Sequence, residues 1–180
     1  MVEYTPKMDN EIEWQKEITL AMDNALINQE FLVYYQPKYL FSTSECIGAE
    51  ALIRWSHKEK GLLSPNTFLP LFEKNGFIQK LDLFVFENVC RFLAKWMKEG
   101  HKPVVISCNL SRLHLQNPRL TSILTGIADA YGVSTEFIEI ELTESLMHHD
   151  IHNLIETMLS LKKAGFKISI DDFGSGYSSL

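Results

Sequence analysis

The alternation of strand-like and helix-like segments in the second half of the chain constrains the fold most strongly. Short apolar runs over Val104–Leu110, Phe137–Thr143 and Lys167–Phe173 predict strands. Helical patterns over Asn117–Tyr131 and His149–Ala164 separate these runs, and each helical pattern is followed by a glycine. This order is typical of an α/β fold with a mostly parallel sheet, because parallel neighbours need a crossover helix between them.

The first half of the chain predicts a strand pair with helices around it. Phe31–Leu40 and Ile47–Trp55 are strand-like, and the connection between them is too short for a crossover helix. We therefore expect these two strands to be antiparallel. Further helices are predicted over 11–29, 65–75 and 80–99. Residues 1–10 lack periodicity and predict a tail or the remnant of a linker, so that the domain would cover residues 11–180.

The number of strands bears on the architecture. A TIM-like (β/α) barrel needs eight strands and usually about 250 residues, whereas about five strands are predicted in these 180 residues. The sheet is therefore either open, or part of a barrel whose last strands and helices lie beyond Leu180. We favour the truncated barrel. An open sheet exposes an edge, which two copies of the chain could cover as a homodimer or by a domain swap.

Composition and charge argue against several classes of protein. The chain has 17 Lys plus Arg and 23 Asp plus Glu, which gives a net charge of −6. That balance lacks the basic surface that binds a nucleic-acid polymer. The three cysteines show no CxxC spacing, and no apolar run is long enough for a membrane segment. These features predict a cytoplasmic protein without a disulfide framework or a zinc site.

Polar side chains recur on one face of successive predicted strands, toward their C-terminal ends, where barrel active sites are built. The converging residues are Glu50, Asn109, Glu141, Asp171 and Asp172, with Arg54 as a nearby cation. Clustered carboxylates repel one another, and Mg²⁺ or Mn²⁺ bound by oxygen ligands removes that penalty. A metal pair would suit phosphodiester hydrolysis, and an arginine would bind a phosphate oxygen. A scaffold with purely structural acids is the alternative.

Four motifs along the chain resemble those of the EAL family. They are AEALIRW around Glu50, CNLS around Asn109, ELTES from Glu141 and IDDFGSGYSSL from Ile170. Members of this family are bacterial phosphodiesterases that linearise cyclic di-GMP to pGpG with Mg²⁺ or Mn²⁺, often after an upstream GGDEF or sensor domain. The resemblance covers about Phe31–Leu180, and it implies a barrel of the EAL type with cyclic di-GMP as its ligand.

The resemblance also implies a role for each motif residue. Glu50, Asn109, Glu141 and Asp171 would be metal ligands, Asp172 would serve a second metal, and Glu144 would support the loop after Asp172. The residues implied in substrate binding are Gln36, Leu52, Arg54 and Asp82, with Arg54 on a phosphate.

The family pattern continues beyond Leu180 with a lysine that positions the attacking water and a glutamate that binds metal. No certain catalytic residue therefore falls within these 180 residues, and the resemblance implies a chain that is weakly active or inactive as given. The alternative function is a non-catalytic module that binds cyclic di-GMP or another protein.

Overall fold

The computed structural model describes the backbone of residues 6–143 and 151–171, and the side chains of residues 12–142 and 152–170. The helices are α1 (Pro6–Ile27), α2 (Pro65–Asn75), α3 (Ile78–Lys98), α4 (Leu120–Ala130) and α5 (Ile151–Lys163). The strands are β1 (Phe31–Tyr39), β2 (Cys46–His57), β3 (Gly61–Leu63), β4 (Val105–Leu110), β5 (Ile138–Thr143) and β6 (Lys167–Asp171). Among these helices, none is long and apolar enough to cross a membrane.

The strands form a mixed sheet in the order β1-β2-β4-β5-β6, with β3 paired to β2. Strand β4 lies parallel to both β2 and β5, and β6 lies parallel to β5. Two backbone hydrogen bonds show that β1 and β2 are antiparallel. The Leu40 N–H donates to the Glu45 carbonyl at one end of the pair, and the Ser56 N–H donates to the Glu30 carbonyl at the other end. The predicted α/β class and the antiparallel first pair are confirmed. The short antiparallel strand β3 is an addition to the prediction.

Most predicted elements are present with small shifts at their ends. Helix α2 has the predicted bounds, whereas α1 begins at Pro6 rather than at Glu11. A proline fits the first turn of a helix because the N–H that it lacks has no partner there. Helix α4 begins at Leu120 rather than at Asn117, since the Asn117 side chain accepts the Arg119 N–H in the turn before the helix.

The chain divides into two compact units, of which the first comprises Met1–Leu32 and Ile53–Ile78. Its core is aromatic. Trp55 is fully buried, and its ring centroid lies 4.9 Å from that of Phe31 and 5.7 Å from that of Phe68. The indole N–H donates to Glu30 Oε2 over 3.1 Å, which satisfies the one polar atom of the buried ring.

The second unit comprises Val33–Leu52 and Gln79–Leu180. Its strands separate apolar from polar side chains by alternation. One face of β4 and β5 is apolar and buried, with Ile106, Cys108, Leu110, Ile138, Ile140 and Leu142. The other face carries Ser107, Asn109, Glu139 and Glu141, so the side chains singled out from the sequence share one side of the sheet.

Candidate active site

Parallel pairing arranges the polar face of the second unit in two rows of side chains. The first row contains Glu50, Ser107, Glu139 and Lys167, and the second contains Asn109, Glu141 and Ser169. Register partners on adjacent strands project from the same face of a sheet. The register therefore brings together three of the predicted ligands, Glu50, Asn109 and Glu141.

Asn109 orients the carboxylate of Glu50. Its Nδ2 donates to Glu50 Oε1 over 3.1 Å, so β4 and β2 are joined through side chains as well as through their backbones. The amide carries a carbonyl oxygen beside the donating nitrogen, and that oxygen can only accept or bind a cation. Carboxylate and amide oxygens are the donor types that Mg²⁺ and Mn²⁺ prefer.

Lys38 on β1 brings a positive charge to both rows, and sequence reasoning missed it. Its Nζ donates to Glu141 Oε1 over 2.7 Å and to Ser107 Oγ over 2.6 Å. Glu139 Oε2 lies 3.6 Å from the same nitrogen and accepts the Ser107 hydroxyl over 2.6 Å. Burial acts to lower the pKa of Lys38. The bond to Glu141 and the charges of the nearby glutamates outweigh it, so this pKa is raised.

Glu141 is the most buried of the three described acidic residues on this face, and the whole residue is 6% exposed. A buried carboxylate needs donors or a cation to compensate for lost hydration. The ammonium of Lys38 meets that need at 2.7 Å. The predicted ligand is therefore already ion-paired within the chain.

Asp82, a predicted substrate contact, is buried on α3. Its Oδ2 accepts the Ser111 N–H over 2.8 Å and lies 3.2 Å from His114 Nε2, which is itself buried. Burial raises the pKa of the Asp82 carboxyl, although His114 and the Ser111 N–H act against this. The carboxyl thus fixes the backbone just after β4, two residues beyond Asn109. Its predicted contact with a nucleotide stays a prediction.

The other predicted site residues differ in what surrounds them. Gln36 is exposed on β1, and Leu52 is half-buried on β2. Arg54 is also half-buried on β2, in the first unit, where its Nη1 donates to the Ile53 carbonyl over 2.8 Å. Asp171 ends β6 in register with Thr143, and its side chain lies outside the described residues. Glu144 and Asp172 lie wholly outside them.

The described side chains fit part of a site for a hard divalent cation. Within residues 12–142 and 152–170, no three His, Cys, Asp or Glu side chains form a group that could hold a metal ion. Glu50, Asn109 and Glu141 nevertheless supply oxygen donors, and the Ser169 hydroxyl in the row of Glu141 is buried without a hydrogen-bond partner in the described part. Buried hydroxyls are normally satisfied by protein or by ordered water, so a polar occupant suits this row.

Comparisons with known proteins agree with the motifs. The family model described as "EAL domain" matches residues 20–180. The bifunctional diguanylate cyclase/cyclic di-GMP phosphodiesterase MucR of Pseudomonas aeruginosa is 36% identical over 168 residues, which are 92% of this chain and 24% of that protein. The cyclic di-GMP phosphodiesterase NbdA of the same organism is 35% identical over 156 residues, 87% of this chain and 20% of its own length. The chain thus spans about a quarter or less of these relatives.

A solved structure named as the PaMucR phosphodiesterase in complex with c-di-GMP superposes with a TM-score of 0.84 at 34% identity. The match covers 91% of this chain and 66% of that one. This agreement confirms the predicted α/β architecture of the TIM-like barrel type, and the strands in the described part of the chain form a sheet that does not close. The family model matches most of the length of the chain, and the fold agrees with that of the solved structure. The chain therefore belongs to the EAL-domain family.

Proposed function

We propose that this chain is part of a cyclic di-GMP phosphodiesterase domain that uses Mg²⁺ or Mn²⁺ to hydrolyse cyclic di-GMP to pGpG. The observation that carries the proposal is the strand register, which brings Glu50, Asn109 and Glu141 to one face of the sheet with Asn109 bonded to Glu50. Two relatives are named as cyclic di-GMP phosphodiesterases, and this supports the choice of substrate.

In this proposal Glu50, Asn109, Glu141 and Asp171 bind metal through their oxygens, and Asp172 serves a second metal. When bound, the metal would supply Lewis-acid stabilisation of the phosphodiester and activation of water. Asn109 contributes in two ways, because its N–H₂ group fixes the Glu50 carboxylate while its carbonyl oxygen serves as a ligand.

Arg54 binds a phosphate oxygen of the substrate in this proposal. Its Nη1 donates to the Ile53 carbonyl, which anchors one side of the guanidinium. The guanidinium has five N–H donors in a rigid fork, so donors remain for a phosphate. Gln36, Leu52 and Asp82 would contribute to nucleotide binding, and Glu144 would support the loop after Asp172.

The test is incubation of the chain with cyclic di-GMP and Mn²⁺, following pGpG by chromatography and binding by calorimetry. We expect metal-dependent binding with at most weak pGpG formation, and we expect binding to be reduced at least about tenfold in Glu50→Ala, because loss of a metal ligand or of its support usually costs 10–100-fold. Glu45→Ala is the matched control, since Glu45 is exposed in the turn between β1 and β2.

The two readouts separate enzyme from binding module. Metal-dependent binding with no pGpG, both from this chain and from a chain extended beyond Leu180, would favour the non-catalytic alternative if a full-length relative turns over under the same conditions. Binding and turnover that are the same in Glu50→Ala as in the unsubstituted chain would contradict the assigned site.

A further inference from the structure

Lys38 forms ion pairs with a glutamate of each polar row. It lies on β1, at a sequence separation of 103 residues from Glu141, yet its Nζ is 2.7 Å from Glu141 Oε1. The ammonium also donates to Ser107 Oγ, whose own hydroxyl donates to Glu139. Two of its three N–H groups are thus committed to β4 and β5.

The two partners of the main ion pair differ in exposure. The Glu141 side chain is 8% exposed, whereas that of Lys38 is 38% exposed. The carboxylate is therefore held inside, and the ammonium sits on a flexible four-carbon stem with a route to water. If a metal cation binds the Glu141 carboxylate, the Lys38 ammonium is the partner that can move away into water.

We propose that Lys38 is a positioning residue that holds Glu141 in the metal-free protein and competes with the divalent cation for that carboxylate. This inference rests on the proposed function, because it takes Glu141 as a metal ligand. A monovalent charge within the chain then substitutes for the metal until the metal binds.

Electrostatics fixes the direction of the effect. Like charges a few ångströms apart in a partly buried site repel strongly, so an ammonium beside Glu141 opposes the arrival of a divalent cation. By thermodynamic linkage, the factor by which the Lys38–Glu141 ion pair weakens metal binding equals the factor by which bound metal weakens the ion pair. Removal of the Lys38 charge should therefore lower the stability of the metal-free protein and raise its affinity for the metal. These two effects have opposite signs.

The experiment measures Mn²⁺ binding by calorimetry and thermal denaturation in EDTA, on the full 180-residue chain without nucleotide. The variants are Lys38→Met and Lys38→Gln, of which the second retains a polar donor if the first folds poorly. The matched control is Lys58→Met, because Lys58 is 72% exposed and pairs with Glu30 over 3.3 Å in the first unit. We expect the Kd for Mn²⁺ to fall about tenfold in both Lys38 variants, within the usual range of coupling between sites. We also expect Tm in EDTA to fall in both.

A purely structural role for Lys38 would lower Tm without improving Mn²⁺ affinity. Unchanged or weaker Mn²⁺ binding in both Lys38 variants, while the unsubstituted chain binds Mn²⁺, overturns this inference and leaves the proposed function standing. Failure of every protein, including the Lys58→Met control, to bind Mn²⁺ overturns both.

Discussion

Gly48 is the position where one added methyl group most directly tests the sheet that positions the site. It lies on β2 in register with Val105 of β4. A Cβ at residue 48 would overlap the carbonyl oxygen of Val105 and would lie 3.4 Å from its carbonyl carbon. Since the obstacle is backbone, no change of rotamer relieves it, and the two strands have to separate.

The size of the effect follows from the kind of clash. Extra atoms forced into a packed region cost about 1–3 kcal/mol, and backbone displacement places Gly48→Ala toward the upper end. The displacement begins where β2 and β4 pair, over Gly48–Ala51 and Val105–Cys108, so it also moves Glu50 relative to Asn109. We expect a loss of about 2–3 kcal/mol in the free energy of unfolding, a large share of the roughly 5–15 kcal/mol of a typical domain.

Urea denaturation of Gly48→Ala, followed by circular dichroism, measures this loss. Gly126→Ala is the matched control, because Gly126 lies in α4 and a Cβ there meets no atom within 4 Å. Alanine is favoured over glycine inside a helix by about 0.5–1 kcal/mol, so the control should gain stability. A Gly48→Ala variant that is as stable as the unsubstituted chain, with an unchanged m-value, would refute the reasoning.

Two further predictions concern buried titratable groups. Burial raises the folded-state pKa of the Asp82 carboxyl above its ordinary value of 3.8. The stability that the protonated carboxyl contributes is therefore fully present below pH 3.8 and is lost as pH rises through the folded-state pKa. The stability of Asp82→Asn relative to the unsubstituted chain should therefore increase as pH rises above about 4 in urea titrations, and a stability difference that does not change with pH would contradict this. Burial also raises the pKa of Cys90 to about 12 and that of Cys108 well above its usual range, whereas Cys46 is exposed. A thiol-specific reagent at about pH 8 should label Cys46 alone in the folded chain and all three cysteines in denaturant, and rapid labelling of Cys90 or Cys108 in the folded chain would contradict the described burial.

Local patterns allowed much of the fold to be predicted, and the deviations have local causes. The apolar alternation of β4 and β5 predicted both strands to within one residue of their observed starts. Strand β3 is three residues long, which is too short to show a period, and its pairing with β2 depends on a turn. Helix α1 begins at Pro6 and not at the predicted Glu11, because a proline in a polar stretch resembles a linker and also suits the first turn of a helix.

The candidate site was predictable where alternation within one strand decides which face a residue takes. Alternation predicts one face for Glu50, Asn109 and Glu141, and the register brings them together. Lys38 was missed because its role depends on how β1 lies against strands far away in sequence. The sequence contains one signal for Lys38, because alternation places it on the same face of β1 as Gln36, a predicted substrate-binding residue.

The polar face of the sheet explains how an acidic chain can place carboxylates among parallel strands. An ionised carboxylate taken out of water costs several kcal/mol unless donors or cations compensate. Each described glutamate on this face has such a partner on another strand. Asn109 of β4 donates to Glu50 of β2, Ser107 of β4 donates to Glu139 of β5, and Lys38 of β1 donates to Glu141 of β5. The amide and hydroxyl groups between the acids therefore both satisfy the carboxylates and tie neighbouring strands together. A face built only of acids would match a metal's preference for oxygen equally well, but it would leave the sheet without those donors whenever the metal is absent.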